Sequence, residues 1–543
     1  MNVVLLALAA DLILRNGVIH TLDPARPKVQ ALAARGDLIV ATGSDAAIMK
    51  LRGPKTEVID LNGATAIPGF IEGHGHFMGV GQFKRSLNLR DATNWKQIVS
   101  TVGAAAKEAN PGEWIIARGF HQSKWTETPS PAVQGFPVHD DLSAASPANP
   151  VLLTHASGHA SMANAKAMEL AGVTRDTKDP SGGEILRDAR GNPTGLMNET
   201  AQGLIRKAYG EYLTHRTESQ QEEDVTIEAK LAAQETVRHG ITSFQDAGSS
   251  FATVDLLRKL NRNGELGVRL WVMLRESNEA LAARGAGYFS IDKWLTVRAI
   301  KRTMDGALGS RGAWLLEPYT DLPSRSGLNT ASVGDIEATA TWARANGFQL
   351  CVHAIGDRAN RETLDLFERT GRTRRWRIEH AQHLNAVDIP RFGKLGVIAA
   401  MQGIHCTSDA PYVIARLGPA RAEEGAYVWR KLVDSGAVVG NGTDAPVEDI
   451  DPIASFYATV TRKLKDGSVF FPAQRLTRIE ALRSYTSANA HAAFEEKSKG
   501  ALRIGMLADI AVLSKDILAV PDDEIPSVEV LYTITGGKIS FRR

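Results

Sequence analysis

The chain has 543 residues, of which 43% are hydrophobic and 23% charged, so it can bury a large core without disulfides or metal staples. Its formal net charge of +2, without any run of Lys or Arg, gives no indication of a nucleic-acid partner or of an anionic membrane surface. The two cysteines, Cys351 and Cys406, lack metal-ligand spacing and lie in or beside apolar runs, which predicts buried free thiols.

The first residues form a short apolar segment. Residues 3–10 are too few to cross a bilayer and have no basic region before them, although Ala7-Leu8-Ala9 has the small-x-small pattern of a signal-peptide cleavage site. The segment is either the remnant of a signal peptide or the lead-in to a first strand. We therefore favour a cytoplasmic location, with export to the periplasm as the alternative, and no membrane partner is predicted.

Both ends of the chain are predicted to form short strands. Between residues 11 and 66 the strands are expected at 11–15, 18–22, 30–35, 38–42 and 57–60. No helix of useful length separates them, which argues against half of a dinucleotide-binding fold. Residues 507–513 and 528–540 return to strands, so we expect residues 1–66 and 496–543 to build one composite β-sandwich around a central domain at 67–495.

From about residue 215 onward, predicted helices alternate with apolar strands. Five helices each end at a glycine, at 222–239, 335–346, 361–370, 386–395 and 422–435. The strands that follow them are expected at 241–245, 348–352, 375–378, 397–401 and 437–441. Strands that are apolar on both faces are typical of a parallel sheet covered by helices, and repeated βα units indicate a barrel or a doubly wound sheet.

The polar residues at the strand ends favour the barrel. Residues able to bind a metal follow the predicted strands at Lys301, His353, His380 and Asp444, and His74 and His76 follow an earlier strand at 66–71. In a (β/α)₈ TIM-like barrel the carboxyl ends of all strands meet at one mouth, whereas an open sheet spreads them along an edge. Residues 111–215, rich in Pro, Gly and Trp, do not follow this alternation and are predicted to be a lid-like insertion over the mouth.

The spacing of His74 and His76 predicts a metal site. Residues two apart in an extended segment point to the same side, so both imidazoles can hold one ion. Buried imidazole and charged groups at the other strand ends also need partners, and one cation would satisfy several of them at once.

The motifs around these residues resemble those of the amidohydrolase superfamily, and specifically the amidohydrolase family 3 branch that includes the N-substituted formamide deformylases. The resemblance runs from about residue 11 to 543 and rests on Asn16-Gly17, Pro68-Gly69-Phe70-Ile71-Glu72-Gly73-His74-Gly75-His76, Asp305-Gly306-Ala307-Leu308-Gly309-Ser310-Arg311, His353-Ala354-Ile355-Gly356-Asp357, Glu379-His380-Ala381-Gln382, Gly442-Thr443-Asp444-Ala445-Pro446 and Gly505-Met506-Leu507-Ala508-Asp509.

The resemblance implies one or two divalent ions per chain, with zinc favoured. It assigns His74, His76 and Asp444 to the more buried ion and His353 and His380 to the second, with Lys301 bridging both as a carboxylated lysine. A lysine carbamate is an anionic ligand, whereas an ammonium cannot bind a cation, and a desolvated lysine near dications has a depressed pKa.

The same resemblance implies the reaction. We expect hydrolysis of a carbon–nitrogen bond of amide type in a small N-formyl or N-acyl compound, by metal-activated hydroxide with Asp444 as the catalytic base. His159, Asp305 and Gln402 are expected to contact substrate, and His405 is expected to be a wall residue. The sequence is compatible with a homo-oligomer.

Three alternatives remain. A deaminase of the superfamily commonly has Glu three residues after the histidine of the fifth strand, and here that position is Gly356. A non-catalytic regulatory relative should have lost ligands, yet all six positions are present. An ester or lactone hydrolase of the same superfamily is not distinguished by these residues.

Overall fold

The computed structural model describes residues 9–371 and 375–543, so the apolar segment at residues 3–10 lies almost wholly outside the described residues. At its centre is an eight-stranded sheet in which each hydrogen-bonded neighbour runs parallel. In spatial order its strands are Phe70–Gly75, Ile241–Ser249, Arg269–Leu274, Leu295–Thr303, Gln349–Ala354, Arg377–His380, Ile398–Gln402 and Val439–Gly442. These are numbered below as the first to the eighth barrel strand.

The first and eighth barrel strands approach each other through polar groups. The amide of Asp444 donates to the carbonyl of His74 at 2.7 Å. The side-chain amide of Asn489 donates to the carbonyls of Ile71 and Asn441, both at 2.7 Å. The sheet is therefore a nearly closed barrel, and the predicted α/β barrel is confirmed at this level.

Helices separate the barrel strands and cover the outside of the sheet. They span Glu218–Arg238, Phe251–Arg262, Asn278–Arg284, Val333–Ala345, Asp357–Arg369, Ile389–Leu395, Gly403–Leu417, Pro419–Gly425, Trp429–Asp434, Pro452–Thr461, Arg478–Ser484 and Ser487–Ala492. The glycines predicted to end five of these helical segments, Gly240, Gly347, Gly371, Gly396 and Gly436, all have φ between +67° and +89°. Glycine adopts this left-handed conformation at no steric cost, which lets the chain leave the helix and enter the next strand.

The strand predicted at residues 66–71 is wrong as a single element. Thr65–Pro68 belongs to a sheet formed by the chain ends, while Phe70–Gly75 is the first barrel strand. Between them the amide of Gly69 donates to the carbonyl of Asp509 at 2.9 Å. The apolar run is continuous because both strands are buried, so hydrophobicity alone does not reveal the change of sheet.

The helix predicted at residues 422–435 is also wrong as a single element. Two helices, Pro419–Gly425 and Trp429–Asp434, occupy this stretch. Tyr427 between them has φ +54° and its amide donates to the carbonyl of Gln382 at 2.8 Å. A tertiary hydrogen bond thus replaces the helical one.

A second, mixed sheet of six strands precedes most of the barrel. Its strands are Leu87–Asn88, Ile115–Phe120, Val151–His155, Ala160–Ala163, Gly183–Arg187 and Pro193–Glu199, with helices Trp95–Glu108, Asp140–Ala145, Ala165–Leu170 and Gln202–Leu213. The predicted insertion begins at residue 111, but the sheet already includes Leu87–Asn88, which pairs in parallel with Ile115–Phe120. The start of this sheet was missed because a two-residue strand leaves almost no periodic signal.

Two further sheets are formed near the ends of the chain, and the second of them contains strands from both ends. One contains Ala10–Arg15, Ala31–Arg35, Leu38–Gly43 and Arg52–Asp60, and the other contains Val18–His20, Lys28–Val29, Thr65–Pro68, Ile510–Leu513, Val530–Thr535 and Lys538–Arg542. Leu12 and Leu32 of the first sheet share a hydrophobic cluster with Ala66 and Val512 of the second.

Cys351 and Cys406 are buried free thiols, as predicted.

Among the described residues, none of the helices has the length and apolar character that crossing a membrane requires.

A buried ion pair joins the barrel to the C-terminal strands and gives a first prediction. Arg269, fully buried in the third barrel strand, donates two hydrogen bonds to Asp509 at 2.8 and 3.0 Å. Removing one partner of such a pair leaves an uncompensated buried charge, which typically costs about 3–5 kcal/mol. We expect Asp509→Ala to lower the free energy of unfolding by about this amount, measured by denaturant titration. Glu57→Ala, which breaks the exposed pair with Arg542, is the control and should cost less than about 1 kcal/mol.

Candidate metal centre

The barrel mouth collects the six residues for which the sequence predicts metal binding. His74 is in the first barrel strand and His76 directly follows it, Lys301 is in the fourth strand, His353 in the fifth, His380 at the end of the sixth, and Asp444 two residues after the eighth. All are buried except His76, whose side chain is 33% exposed. These residues are far apart in sequence, and the closure of the barrel brings them close together in space.

One compact group of ligand atoms comes from His74, His76 and Asp444. Their ligand atoms lie within 4.8 Å of one another. Nε2 of His76 is 3.2 Å from Oδ1 of Asp444, and Nε2 of His74 is 3.6 Å from the same oxygen. Asp444 has φ +57°, a conformation that only a few per cent of non-glycine residues adopt. The backbone of this loop is thus shaped to turn the carboxylate toward the two imidazoles.

A second group shares Asp444 with two other histidines. Ligand atoms of His380, His405 and Asp444 also lie within 4.8 Å of one another. The ring of His353 is next to that of His380, with centroids 4.5 Å apart. His405, expected from the sequence to be a wall residue, therefore has a ligand atom within 4.8 Å of Asp444 and His380. Its position just after the seventh barrel strand was the signal in the sequence.

Lys301 lies beside the first of these groups. Its Nζ is 3.4 Å from Nε2 of His74. Burial lowers the pKa of Lys301 to about 8, despite the charges of Glu379 and Asp444, which act in the opposite direction. A lysine of this kind has a substantial neutral fraction near neutral pH, as carboxylation by CO₂ requires.

The remaining nitrogens of two histidines are held by neighbouring side chains. Nδ1 of His74 forms a short hydrogen bond with Glu379, and Arg377 donates to both oxygens of Glu379 at 2.7 and 2.8 Å. Nδ1 of His380 is 2.6 Å from Oε1 of Gln402. Each of these contacts engages Nδ1, so Nε2 of the imidazole stays available at the centre of the mouth. Metal-binding histidines are usually oriented in this way.

The charge states of these groups suit a cation. Burial, together with the charge of Lys301, lowers the pKa of His74 to about 4, and burial lowers the pKa of His380 well below its usual value. Burial alone would raise the pKa of Asp444, but the neighbouring imidazoles of His76, His74 and His380 hold it well below its usual value. Neutral imidazoles and an ionised carboxylate are the forms that bind metal ions.

Unpaired buried atoms provide a test of whether a cation fits. Within the described residues, Nε2 of His353, Nε2 of His405 and Oδ1 of Asp444 are buried without a hydrogen-bond partner. A buried polar atom without a partner costs about 1–3 kcal/mol, so three in one mouth are expensive. The donor set of imidazoles and carboxylate is one that divalent zinc accepts, so the residues fit such an ion.

Asp305 and Gln402, predicted to contact substrate, lie behind the mouth. The carboxylate of Asp305 accepts from the amides of Ile355, Gly356 and Trp314 at 2.8–3.0 Å, and its Oδ1 is 3.5 Å from Nε2 of His353. Burial raises the pKa of Asp305 to about 7. Asp305 thus shapes the loop after the fifth strand.

A small cavity opens above these groups. Its lining includes His159, His380, His405 and Asp444 from the residues already described, and His121, Lys124 and Tyr412 from the segments around the mouth. His121 stacks on Tyr412 with ring centroids 5.4 Å apart. Residues of the six-stranded mixed sheet and its loops therefore form one wall of the cavity.

His159, the third predicted substrate contact, faces this cavity. Its Nδ1 is 2.7 Å from Oε2 of Glu199, and its ring centroid is 5.0 Å from that of His353. Burial alone would lower the pKa of His159, but the carboxylate of Glu199 raises it. The sequence did not single out Glu199, which is 40 positions away from its partner.

Comparisons with known proteins agree with this geometry. The profile of the Amidohydrolase family matches residues 57–541. The chain is 31% identical to the Protein LONG AFTER FAR-RED 3 of Arabidopsis thaliana, over 98% of this chain and 91% of that protein. It is 25% identical to the N-substituted formamide deformylase of Arthrobacter pascens, over 98% of both chains.

Among solved structures, the crystal structure of an uncharacterized metal-dependent hydrolase from Pyrococcus horikoshii OT3 superimposes with a TM-score of 0.76 and 27% sequence identity. The superposition covers 94% of this chain and 99% of that one.

Proposed function

Because the chain belongs to the Amidohydrolase family, we propose that it hydrolyses a carbon–nitrogen bond of amide type in a small N-formyl or N-acyl compound. The observation that carries this proposal is the cluster of imidazoles and a carboxylate at one barrel mouth, with buried atoms left unpaired. Full-length similarity to a protein named N-substituted formamide deformylase supports the choice of substrate class.

The proposed ion is a divalent cation, with zinc favoured. His74, His76 and Asp444 would hold one ion, and His353 and His380 a second, with Lys301 carboxylated between them. When bound, such an ion polarises a carbonyl oxygen and lowers the pKa of coordinated water from 15.7 to about 7.

The side chains of the mouth supply proton transfer and orientation. The carboxylate of Asp444, buried at the mouth beside His74 and His76, is placed to accept a proton and later return it to the leaving amine. Glu379 and Gln402 fix the ring orientations of His74 and His380 through their Nδ1 atoms. The small cavity limits the number of competing waters around the reacting carbonyl.

The surrounding segments have proposed roles of their own. Residues 111–215 would act as a lid that selects the substrate, since His121, Lys124 and His159 from this region line the cavity. The sheets formed by the chain ends would be a separate β-sandwich, at 1–66 and 496–543, around a barrel domain at 67–495.

Gly356 argues against a deaminase activity. A Cβ at this position would lie 2.0 Å from the carbonyl oxygen of Trp314. The glutamate that the superfamily's deaminases commonly carry here therefore has no room in this backbone.

The proposed function is tested with a panel of substrates. Zinc-loaded enzyme is assayed on N-substituted formamides, N-acyl amino acids, carboxylic esters, lactones and aminopyrimidines, with release of amine, acid or ammonia as readout. We expect the highest kcat/KM on a formamide or an N-acyl compound. Turnover of esters or lactones alone, or release of ammonia from a ring, would contradict the proposal.

Glu379 gives a prediction about metal affinity. Glu379→Gln removes the charge that orients His74, and loss of such a partner typically weakens metal binding about 10–100-fold. We expect a weakening of this size in a competition titration with a chromophoric chelator. Glu362→Gln, which breaks a partly exposed pair with Arg358 on a helix, is the matched control and should leave the affinity unchanged.

A further inference from the structure

Glu199 is a buried carboxylate to which neither the sequence motifs nor the proposed chemistry gives a role. It is the last residue of the strand Pro193–Glu199 and only 8% exposed. Its φ of +49° is unusual for a residue with a side chain, and its amide donates to the carbonyl of His159 at 2.8 Å. This backbone hydrogen bond therefore holds Glu199 next to His159, independently of the contact between their side chains.

The side chains form a second link. Oε2 of Glu199 is 2.7 Å from Nδ1 of His159, and the side chains are 4% and 20% exposed. An ionised carboxylate only accepts hydrogen bonds, so Nδ1 of His159 must be the donor. A hydrogen bond to a charged group in such a buried place is stronger than one between neutral groups.

The loop after the fourth barrel strand is shaped around this carboxylate. A Cβ at Gly306 would lie 2.0 Å from Oε1 of Glu199, and one at Gly312 would lie 2.3 Å from the same atom. Among the described residues, Oε1 of Glu199 has no hydrogen-bond partner. The two glycines therefore provide the space in which a carboxylate from the mixed sheet enters the barrel loop.

The other side of the His159 ring faces the cavity. His159 lines the cavity together with His380 and Asp444, and its ring centroid is 5.0 Å from that of His353. Since Nδ1 is bound to Glu199, Nε2 is the atom that remains for a group in the cavity.

We propose that Glu199 is a positioning residue, which keeps a proton on Nδ1 of His159 and thereby presents Nε2 of His159 to the substrate. The role in turnover rests on the proposed function, whereas the protonation of Nδ1 does not. Glu199 itself does not touch the substrate and acts only through His159.

A prediction for His159 follows. His159→Ala should raise KM about tenfold, or change the preference between formamide and longer acyl substrates, because one hydrogen bond to the substrate is lost. Metal content measured by elemental analysis should stay normal. If both KM on the best substrate and the preference between formamide and longer acyl substrates were unchanged, His159 would have only a packing role.

The direct test of the Glu199 proposal is a spectroscopic signature. The zinc-loaded enzyme is labelled with ¹⁵N-histidine, and the His159 signals are assigned by their absence in His159→Ala. We expect Nδ1 of His159 to be protonated in the wild-type enzyme and to lose this proton to Nε2 in Glu199→Met, which has similar length but no acceptor. An unprotonated Nδ1 in the wild-type enzyme would overturn the proposal without any reference to activity.

A double-mutant comparison separates positioning from a structural role. If Glu199 acts through His159, Glu199→Met should raise KM in the wild-type background and have no further effect in the His159→Ala background. An equal loss in both backgrounds would overturn the proposal. Glu199→Gln, whose amide oxygen can still accept from Nδ1, should keep much of the wild-type behaviour and guards against misfolding of the Met variant.

Glu184→Gln is the matched control. Glu184 is in the same sheet and forms two hydrogen bonds with Arg325, at 2.7 and 2.8 Å, so it also links this sheet to the barrel segments. We expect this variant to leave KM and the His159 signals unchanged. Metal content is measured on all variants, so that failure of the metal centre and failure of the Glu199 proposal are told apart.

Discussion

Replacing Asp444 with asparagine is expected to lower kcat by at least about a hundredfold while the metal stays bound, since losing a general base typically costs about 10²–10⁴-fold. The amide keeps an oxygen that can bind a cation, but it cannot accept a proton. The substitution therefore separates metal binding from proton transfer. Asp444 is suited to this test because its Oδ1 lies 3.2 Å from Nε2 of His76 and has no hydrogen-bond partner among the described residues.

The measurement is kcat on the best substrate of the panel, with metal content determined on the same preparation. Asp357→Asn is the matched control, because the Asp357 carboxylate accepts from the backbone amides of Leu316 and Arg358 and should be dispensable for proton transfer. If Asp444→Asn kept near-normal kcat with full metal occupancy, Asp444 could not be the base. The proton transfer would then be reassigned to His159 or His405, which both line the cavity.

Removing the metal is expected to have the second large effect. Dialysis against a strong chelator should reduce turnover to the background rate, because the buried imidazoles and Asp444 cannot activate water or polarise a carbonyl without a cation. Adding zinc back should restore turnover, and His380→Ala should lose the second ion before the first. Undiminished turnover in protein from which all metal has been removed would contradict the proposed chemistry.

The barrel could be predicted from the sequence because its signals are local and repeated. Each of the five glycines that follow a helix, such as Gly240 and Gly396, has the left-handed conformation that the pattern requires. The errors occur where a tertiary contact decides. The Tyr427 amide binds the Gln382 carbonyl and divides a predicted helix, and the change of sheet at Gly69 leaves the apolar pattern uninterrupted.

The candidate site could be predicted as far as its ligand-type residues follow strands. The barrel brings His74, His353, His380 and Asp444 to one mouth because their positions at strand ends are fixed by the fold. Glu379 was expected to be a structural partner behind the site, but the histidine that it contacts could not be predicted in the same way. Glu379 meets His74 across 305 residues of sequence, and no local pattern specifies such a contact.

The orientation of the residues around the cavity was the hardest feature to predict. His405 comes close to Asp444 only because the helix after the seventh barrel strand begins at the mouth. Asp305 is in a distinctive motif, but its carboxylate is used by three backbone amides. A motif thus marks a position near the site without specifying which way its side chain points.

The metal content of freshly purified, unchelated protein tests the central claim most directly. We expect at least about one equivalent of a divalent metal per chain, bound about 2.0–2.2 Å from His74 and His76, and its loss from the double variant His74→Ala/His76→Ala. Less than about half an equivalent of any transition metal in the wild-type protein, or an unchanged content in the double variant, would contradict a metal centre built on these residues.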